Sequence, residues 1–358
     1  MKRSNIGGQG VLEGVMMRSP EESAIAVRRQ TGEIVYKRSE FTPLSKKNKF
    51  YGWPIVRGVV MFIDTLGTGV KTLSDSAKMY DESAAKDYEP SKFEKYIAKK
   101  TGKSAMDVMM AFAVVIAIGL AIGLFFVLPT VVANFVRPFV ASGILMNLIE
   151  GGIRLLIFMG YLMLVIMMKD IRRVFAYHGA EHKVINCFEH EEELTVENVQ
   201  KYTTLHPRCG TSYLLIVMVI AILLFSLLGW SNEWYLRFGL RLLMLPVVAG
   251  VSYEFLRLGA KGESLFFRII RAPGMALQHL TTKPPEDGMV EVAIVAFEAA
   301  MKEKTDAEID ARCEAFYRGE KKEEPAPEGE PAIIEEISEK IAEAAASMED
   351  PALPKDGE

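Results

Sequence analysis

Two uninterrupted apolar runs constrain this chain more than any other feature of it. Met109 to Val132 (MMAFAVVIAIGLAIGLFFVLPTVV) and Thr211 to Ser231 (TSYLLIVMVIAILLFSLLGWS) carry no charged residue. Each supplies the roughly 20 apolar residues that one helical bilayer crossing needs. Two further runs are less clean. Ile153 to Met168 carries Arg154 at its outer end, and Tyr235 to Leu256 carries Arg237 and Arg241 early and Glu254 late. Charges gathered at helix ends can snorkel to the headgroups, so the pattern predicts about four spans. The alternative for the same runs is a large buried helical core.

The positive charges set an expected orientation. Lys95, Lys99, Lys100 and Lys103 precede the first run, Lys169, Arg172 and Arg173 follow the second, and Arg257, Lys261, Arg268 and Arg271 follow the fourth. The opposite connections, Ala133 to Gly152 and Asn232 to Trp234, are poor in positive charge. By the positive-inside rule both termini and the connection between the second and third runs face the cytoplasm. The start, MKRSNIGGQG, has no apolar signal core, and three cysteines on a reducing side suggest thiols or metal ligands rather than disulfides.

The expected fold is mainly α, a polytopic membrane protein with a small N-terminal β-hairpin region. Four regions are expected: a cytoplasmic N-terminal part over 1–106, a four-span domain over 107–257 with a polar loop at 169–210, a helical region over 258–318, and an acidic tail over 319–358. The cytoplasmic face would be built from the N-terminus, the 169–210 loop and the C-terminal helix. SAIAVRR and EIVYKRS alternate around Gln30-Thr31-Gly32 as a hairpin. Ile55 to Leu73 reads as an amphipathic helix on the inner leaflet or a buried soluble helix, and SLFFRIIRAPG as an interfacial segment. Asp75 to Lys103 reads as a charged helix leading to the first span, and Pro284-Pro285 should precede one helix over roughly Val290 to Tyr317. The Glu-, Pro- and Ala-rich tail lacks the apolar content for a core and reads as disordered, with a helical piece at Ile333 to Met348. Pro129 and Pro246 should kink their spans, and Gly119 with Gly123 form a small face for helix contact.

The chemistry is concentrated in one polar stretch. Four of the five histidines and two of the three cysteines fall between Tyr177 and Cys209. In Tyr177-His178-Gly179-Ala180-Glu181-His182-Lys183, a helix puts His178 and His182 four residues apart on one face, with Glu181 at its border. Two imidazoles at that spacing can hold a divalent ion. HxxEH is also the inverted zinc-protease pattern, whose histidines bind zinc while the glutamate is general base to a bound water. The blander reading is a cap or interfacial helix whose histidines face water.

A second cluster, His206-Pro207-Arg208-Cys209-Gly210-Thr211, stands just before the third run. Topology brings it to the same membrane face as the first, so His178, His182, His206 and Cys209 become candidate ligands, with zinc the best match to the donor types. Three ligands would leave an open position for chemistry; four would close a structural site. Cys209 as a small packed residue and His206 as a cap remain the alternative.

Three strings carry a family resemblance: NIGGQGVLEGVMMRSP (Asn5 to Pro20), YHGAEHKVINCFE (Tyr177 to Glu189) and HPRCGTS (His206 to Ser212). Together they resemble the YqhQ-like family of bacterial membrane proteins, described as predicted metal-dependent enzymes. The likeness runs over roughly Ser4 to Ala300. It implies a bacterial inner-membrane protein and falls on His178, Glu181, His182, His206 and Cys209. It also marks Gly7, Gly8, Gln9, Glu13, Gly14 and Arg18. Gly10 stands where the resemblance would place alanine, which reads as a small-for-small change. Gly7-Gly8-Gln9-Gly10 lacks the Lys-Ser/Thr of a phosphate loop and reads as a tight turn entering the hairpin. Gln9, Glu13, Arg18 and Lys183 are further site candidates, Glu13 as an extra ligand and Arg18 as an anion anchor.

A net charge of -4 without an aromatic-basic motif argues against nucleic acid as a partner. Spans without a mid-membrane carboxylate argue against a transporter. Two functions then stand: a zinc-dependent membrane hydrolase or peptidase with Glu181 as base, or a non-enzymatic scaffold or assembly factor pinned by a structural metal. The bilayer is the expected partner, with a membrane protein or peptide as a further one.

Overall fold

The glycine-rich N-terminal string is a strand, not a turn. This computed structural model describes residues 4–44, 48–81, 105–228, 233–259 and 264–323. Strands β1 (Gly7–Val11), β2 (Gly14–Arg18), β3 (Glu22–Arg28) and β4 (Ile34–Glu40) form one antiparallel sheet in sequence order. The β3–β4 hairpin forms where its alternation and Gly32, at φ 85°, place it. β2 escapes that pattern because Gly14 to Met17 are all buried. One face packs Val11, Met16, Ile25 and Val27 with Met79 and Tyr80, while the other meets the helix over Asp287–Ala299. A strand buried on both faces loses the period-two signal.

Helix α1 (Val56–Tyr80) follows, and the remainder of the expected 75–103 helix lies outside the described residues. α2 (Ala105–Ile122) passes through a π-turn at Gly123–Val127 into α3 (Leu128–Val136), ending in a 3-10 turn at Arg137–Phe139. Pro129 explains much of this irregularity, since it cannot donate to the carbonyl of Phe125 four residues back. That carbonyl accepts instead from Nε of Arg154 at 2.8 Å.

The second apolar helix, α4 (Gly143–Met167), begins ten residues before the expected Ile153. Glu150 and Arg154 made the sequence look like a loop. Both are buried: the Glu150 carboxylate is held by Arg241, which also donates from Nη2 to Asn147 at 3.1 Å, by Thr130 Oγ1 at 2.8 Å and by Arg154 Nη2 at 3.3 Å. The expectation that Arg237 and Arg241 snorkel is therefore corrected, as each is 6% exposed within the bundle. The expected absence of a carboxylate among the spans is corrected by Glu150. Charges at this depth need paired partners; Glu150 pairs with Arg154 and Arg241, while Arg237 donates from Nη2 to Asn134 Oδ1 at 3.4 Å.

α5 (Lys169–Glu189) restarts after a break at the extended Met168, so it is a new helix rather than a prolongation of α4. The short α6 (Val196–Gln200) precedes α7 (Thr211–Leu227) and α8 (Trp234–Gly259). Among the described residues, three segments suffice by length and composition to cross a membrane: Ala111–Phe139, Gly143–Met167 and Tyr235–Gly259. Thr211–Leu227, the expected third span, is apolar but shorter. Close helix contacts lie at Gly151, where a Cβ would meet Ile222 at 2.6 Å, and at Gly58, where one would meet Gly250 at 2.7 Å. Gly119 and Gly123 face open space, which corrects the contact expected of them.

α9 (Leu265–Thr281) leads to α10 (Asp287–Ala299), which is buried along its length against α5 and the sheet. α11 (Asp306–Glu323) is separate, so the single helix expected over Val290 to Tyr317 is two. A capping box starts the second: Thr305 N–H donates to Glu308 and Glu308 N–H to Thr305. Contacts divide the chain into Met1–Glu314 and Ala315–Glu358, and the described part of the second unit is the end of α11. The 333–348 helical piece lies outside the described residues.

Candidate metal centre

α5 supplies two of the site's side chains and the loop just before α7 a third. His178, His182 and Cys209 each offer one ligand atom, and those atoms lie within 4.8 Å of one another, all buried. Cys209 Sγ is 3.3 Å from Nε2 of His178. Zinc bonds to imidazole and thiolate imply about 3.5 Å between such atoms in a tetrahedral shell.

Each histidine is oriented from behind by a carbonyl, which can only accept. Nδ1 of His178 donates to the carbonyl of Thr281 at 3.0 Å, and Nδ1 of His182 to that of Thr204 at 2.5 Å. Both Nε2 lone pairs therefore point to the common space, as outer partners of metal-bound histidines arrange. The sulfur of Cys209 receives Thr211 N–H at 3.4 Å at the first turn of α7, where backbone donors favour negative charge.

Glu181 completes the cluster without joining the three. Its Oε1 accepts from Gly8 N–H at 2.8 Å. Its Oε2 lies 3.6 Å from His178 Nε2 and 3.9 Å from His182 Nε2, buried and with no hydrogen-bond partner among the described residues. Burial pushes the carboxyl up to about 6, against the opposing pull of His178 and the Gly8 amide.

His206 stands one step back. Its ring centre is 5.7 Å from that of His182, and its Nε2 is turned to Glu189 at 3.8 Å. Burial, then His182 and Arg208, lower its pKa to about 4 and keep it neutral. Glu189 is itself held by Ser4, whose N–H and hydroxyl donate at 2.8 and 3.0 Å, and by Arg208. Gln278 clamps the loop, accepting from His206 N–H and donating to His206 C=O, both at 2.9 Å.

The remaining sequence candidates lie outside the triad, each engaged with other partners. Glu13 gives both oxygens to Arg173, at 2.5 and 2.6 Å, and accepts from Tyr177. Arg18 stands 3.8 Å from Asp64 and over the Phe41 ring, Gln9 donates to Thr72, and Lys183 donates to the carbonyl of Gln200. The glycines have a different task from the expected turn. A Cβ on Gly8 would meet Met16 O at 2.2 Å and the Glu181 side chain at 3.2 Å, and one on Gly10 would meet Val174 O at 2.3 Å and His178 N at 2.8 Å. Strand β1 thus lies directly on α5. Alanine at position 10 is not a neutral exchange here, because the helix would have to move away.

The profile of a family described as "Protein of unknown function (DUF1385)" matches residues 53–303. The chain belongs to this family. It is also 34% identical over 294 residues to the "Uncharacterized protein YqhQ" of Bacillus subtilis (strain 168), covering 81% of this chain and 90% of that protein. No solved structure matches. The family match contains α5, the Cys209 loop and α9, so all three triad residues and the two carbonyls behind the histidines lie inside it. Thr204, Thr281, Gln278, Glu189 and Ser4 carried no individual signal in the sequence, since three act through backbone atoms or single hydrogen bonds and all are distant in the chain from the residues they hold.

Proposed function

We propose that this membrane protein is a metal-dependent hydrolase whose ion, best matched by zinc, is held by His178, His182 and Cys209 at the cytoplasmic face of a bacterial inner membrane. The observation that carries the reading is the unpartnered Oε2 of Glu181, beside both Nε2 atoms. A buried carboxylate oxygen without a donor costs free energy unless something occupies the space it faces. Two imidazoles and a thiolate fit zinc and leave a fourth position for water, with Glu181 as the base that takes its proton. His206 keeps to Glu189 and positions the loop that presents Cys209. The metal's contribution would be Lewis acidity; Gly8, Thr204 and Thr281 hold the protein groups in place.

The competing reading is a scaffold with a closed site, and coordination number decides between them. Purified protein should contain about one equivalent of a transition metal under the tight binding expected of such sites. In the cobalt-loaded protein, thiocyanate should shift the visible spectrum by entering the open position. Glu181→Gln should retain the metal and the thiocyanate response while losing activity in a complementation assay. A metal-free preparation removes the metal reading. A spectrum indifferent to thiocyanate with a fully active Glu181→Gln leaves the scaffold.

A further inference from the structure

Helix α1 is built inside out for a helix in water. Its buried residues are Gly58, Thr72 and Ser76. Its large apolar residues face outward: Phe62 is 42% exposed, Ile63 58%, Leu66 55% and Leu73 48%. With Ile55, Val59 and Val70 they recur every three or four residues, a single stripe along one side. The preceding turn adds exposed Phe50, Tyr51 and Trp53, whose rings contact one another. The first turn of α9 repeats the pattern with Leu265, Phe266 and Ile269 exposed beside the exposed Arg268.

We infer that these two segments lie in the membrane-water interface, their exposed stripes immersed in the lipid headgroup and upper chain region. Continuity with the apolar helices identifies lipid as what covers these stripes. α1 is seated on α8 at the Gly58–Gly250 crossing and by the Arg57–Glu254 ion pair, and Phe62 meets Tyr213 in the first turn of α7. α9 packs along α7, with Gly274 against Ser212. Both stripes are thus attached to the ends of apolar helices, on the side that carries the cluster. α1 does not span, because Arg18 and Lys37 of the sheet stand against its Asp64 and Asp75. Tyr and Trp at the rim, with basic residues beside apolar ones, suit the headgroup layer.

The arrangement fixes the depth of the cluster. α9 runs from Ile269 in the lipid stripe to Thr281, whose carbonyl orients His178. Twelve residues of helix rise about 18 Å. The cluster accordingly lies within about 18 Å of the lipid stripe, close to the bilayer surface, whatever reaction it performs.

Trp53 is the natural probe. The other two tryptophans are Trp230 and Trp234, so Trp230→Phe with Trp234→Phe leaves it alone. The full chain is reconstituted in phosphatidylcholine-phosphatidylglycerol vesicles, with or without lipids brominated near the glycerol end of the chain. Brominated lipid should lower Trp53 emission about two-fold or more, while aqueous iodide leaves it almost unchanged. Strong iodide quenching would place the turn in water and overturn the proposal. Resistance to both quenchers would overturn it equally, by showing a protein cover such as a second copy. Ile63→Asp should abolish the bromolipid effect if α1 is lifted out; Ile63→Trp in a Trp53→Phe, Trp230→Phe, Trp234→Phe background should be quenched like Trp53.

Discussion

Gly179 shows how tightly single residues define the candidate centre. It sits between His178 and Ala180 on α5, and a Cβ there would stand 2.1 Å from the carbonyl oxygen of Lys283. The same segment is tied to the helix by Lys283 N–H donating to Phe175 C=O at 2.9 Å. The contact is backbone to backbone, so no rotamer change relieves it. Gly179→Ala should therefore destabilise the fold by roughly 1–3 kcal/mol, the usual cost of overpacking. It should also loosen the ion by shifting the Thr281 carbonyl from His178. Thermal unfolding of the detergent-solubilised protein and metal retention after dialysis measure the two effects; an unchanged midpoint would show that the segment yields freely. His178, His182, His206 and Cys209 are legible in the sequence as candidate ligands by residue type and spacing, and the structure brings the first, second and fourth together while His206 stands back. Gly179 is not legible in this role, because a close approach depends on a segment about a hundred residues away in the chain.

At the scale of elements, α4 shows why charge misleads in an apolar run. Glu150 and Arg154 look like the boundary of a span, yet they lie four residues apart inside one helix and close on Arg241 of α8. Hydropathy reads the charges singly, whereas the bundle buries them as a set with Thr130 and Asn147. The β3–β4 hairpin, exposed on one side of β4, was legible by alternation; β1 and β2 were not, because glycines and two-sided burial erase it. The buried network is expected to pin α3, α4 and α8 together. Glu150→Gln leaves two arginines without their shared carboxylate, and breaking a buried pair in this way costs about 3–5 kcal/mol. Unfolding followed by α-helical circular dichroism should show that loss. A double change, Glu150→Leu with Arg241→Met, should recover a good part of it, because the charge left behind would be smaller. If the single variant is as stable as the parent, the network contributes nothing to holding these helices.

For the whole molecule, the number of crossings turns on α7. Seventeen residues of helix rise about 26 Å against a hydrocarbon core of about 30 Å. A deficit of that size is met by local thinning at a modest cost. The site itself argues that α7 crosses. Cys209, two residues before its start, belongs to a cluster whose other members follow α4, while α8 reaches that same side with its later part, where Gly250 and Glu254 meet α1. We expect a chain leaving the cluster through α7 to reach the far side, from which α8 brings it back. Four crossings would put residues 140–142 and 233 on one side of the membrane, and the 169–210 segment, with the positive flanks, on the other. Single cysteines introduced at the exposed Ala141, Glu233, Glu192 and Glu303 separate the possibilities. In a background with Cys313→Ser, a membrane-impermeant maleimide applied to intact spheroplasts should label positions 141 and 233, and reach 192 and 303 only after lysis. Protection of 233 alongside labelling of 141 would show that α7 stops short. Labelling of 192 in intact spheroplasts would invert the orientation and move the candidate metal centre to the outer face.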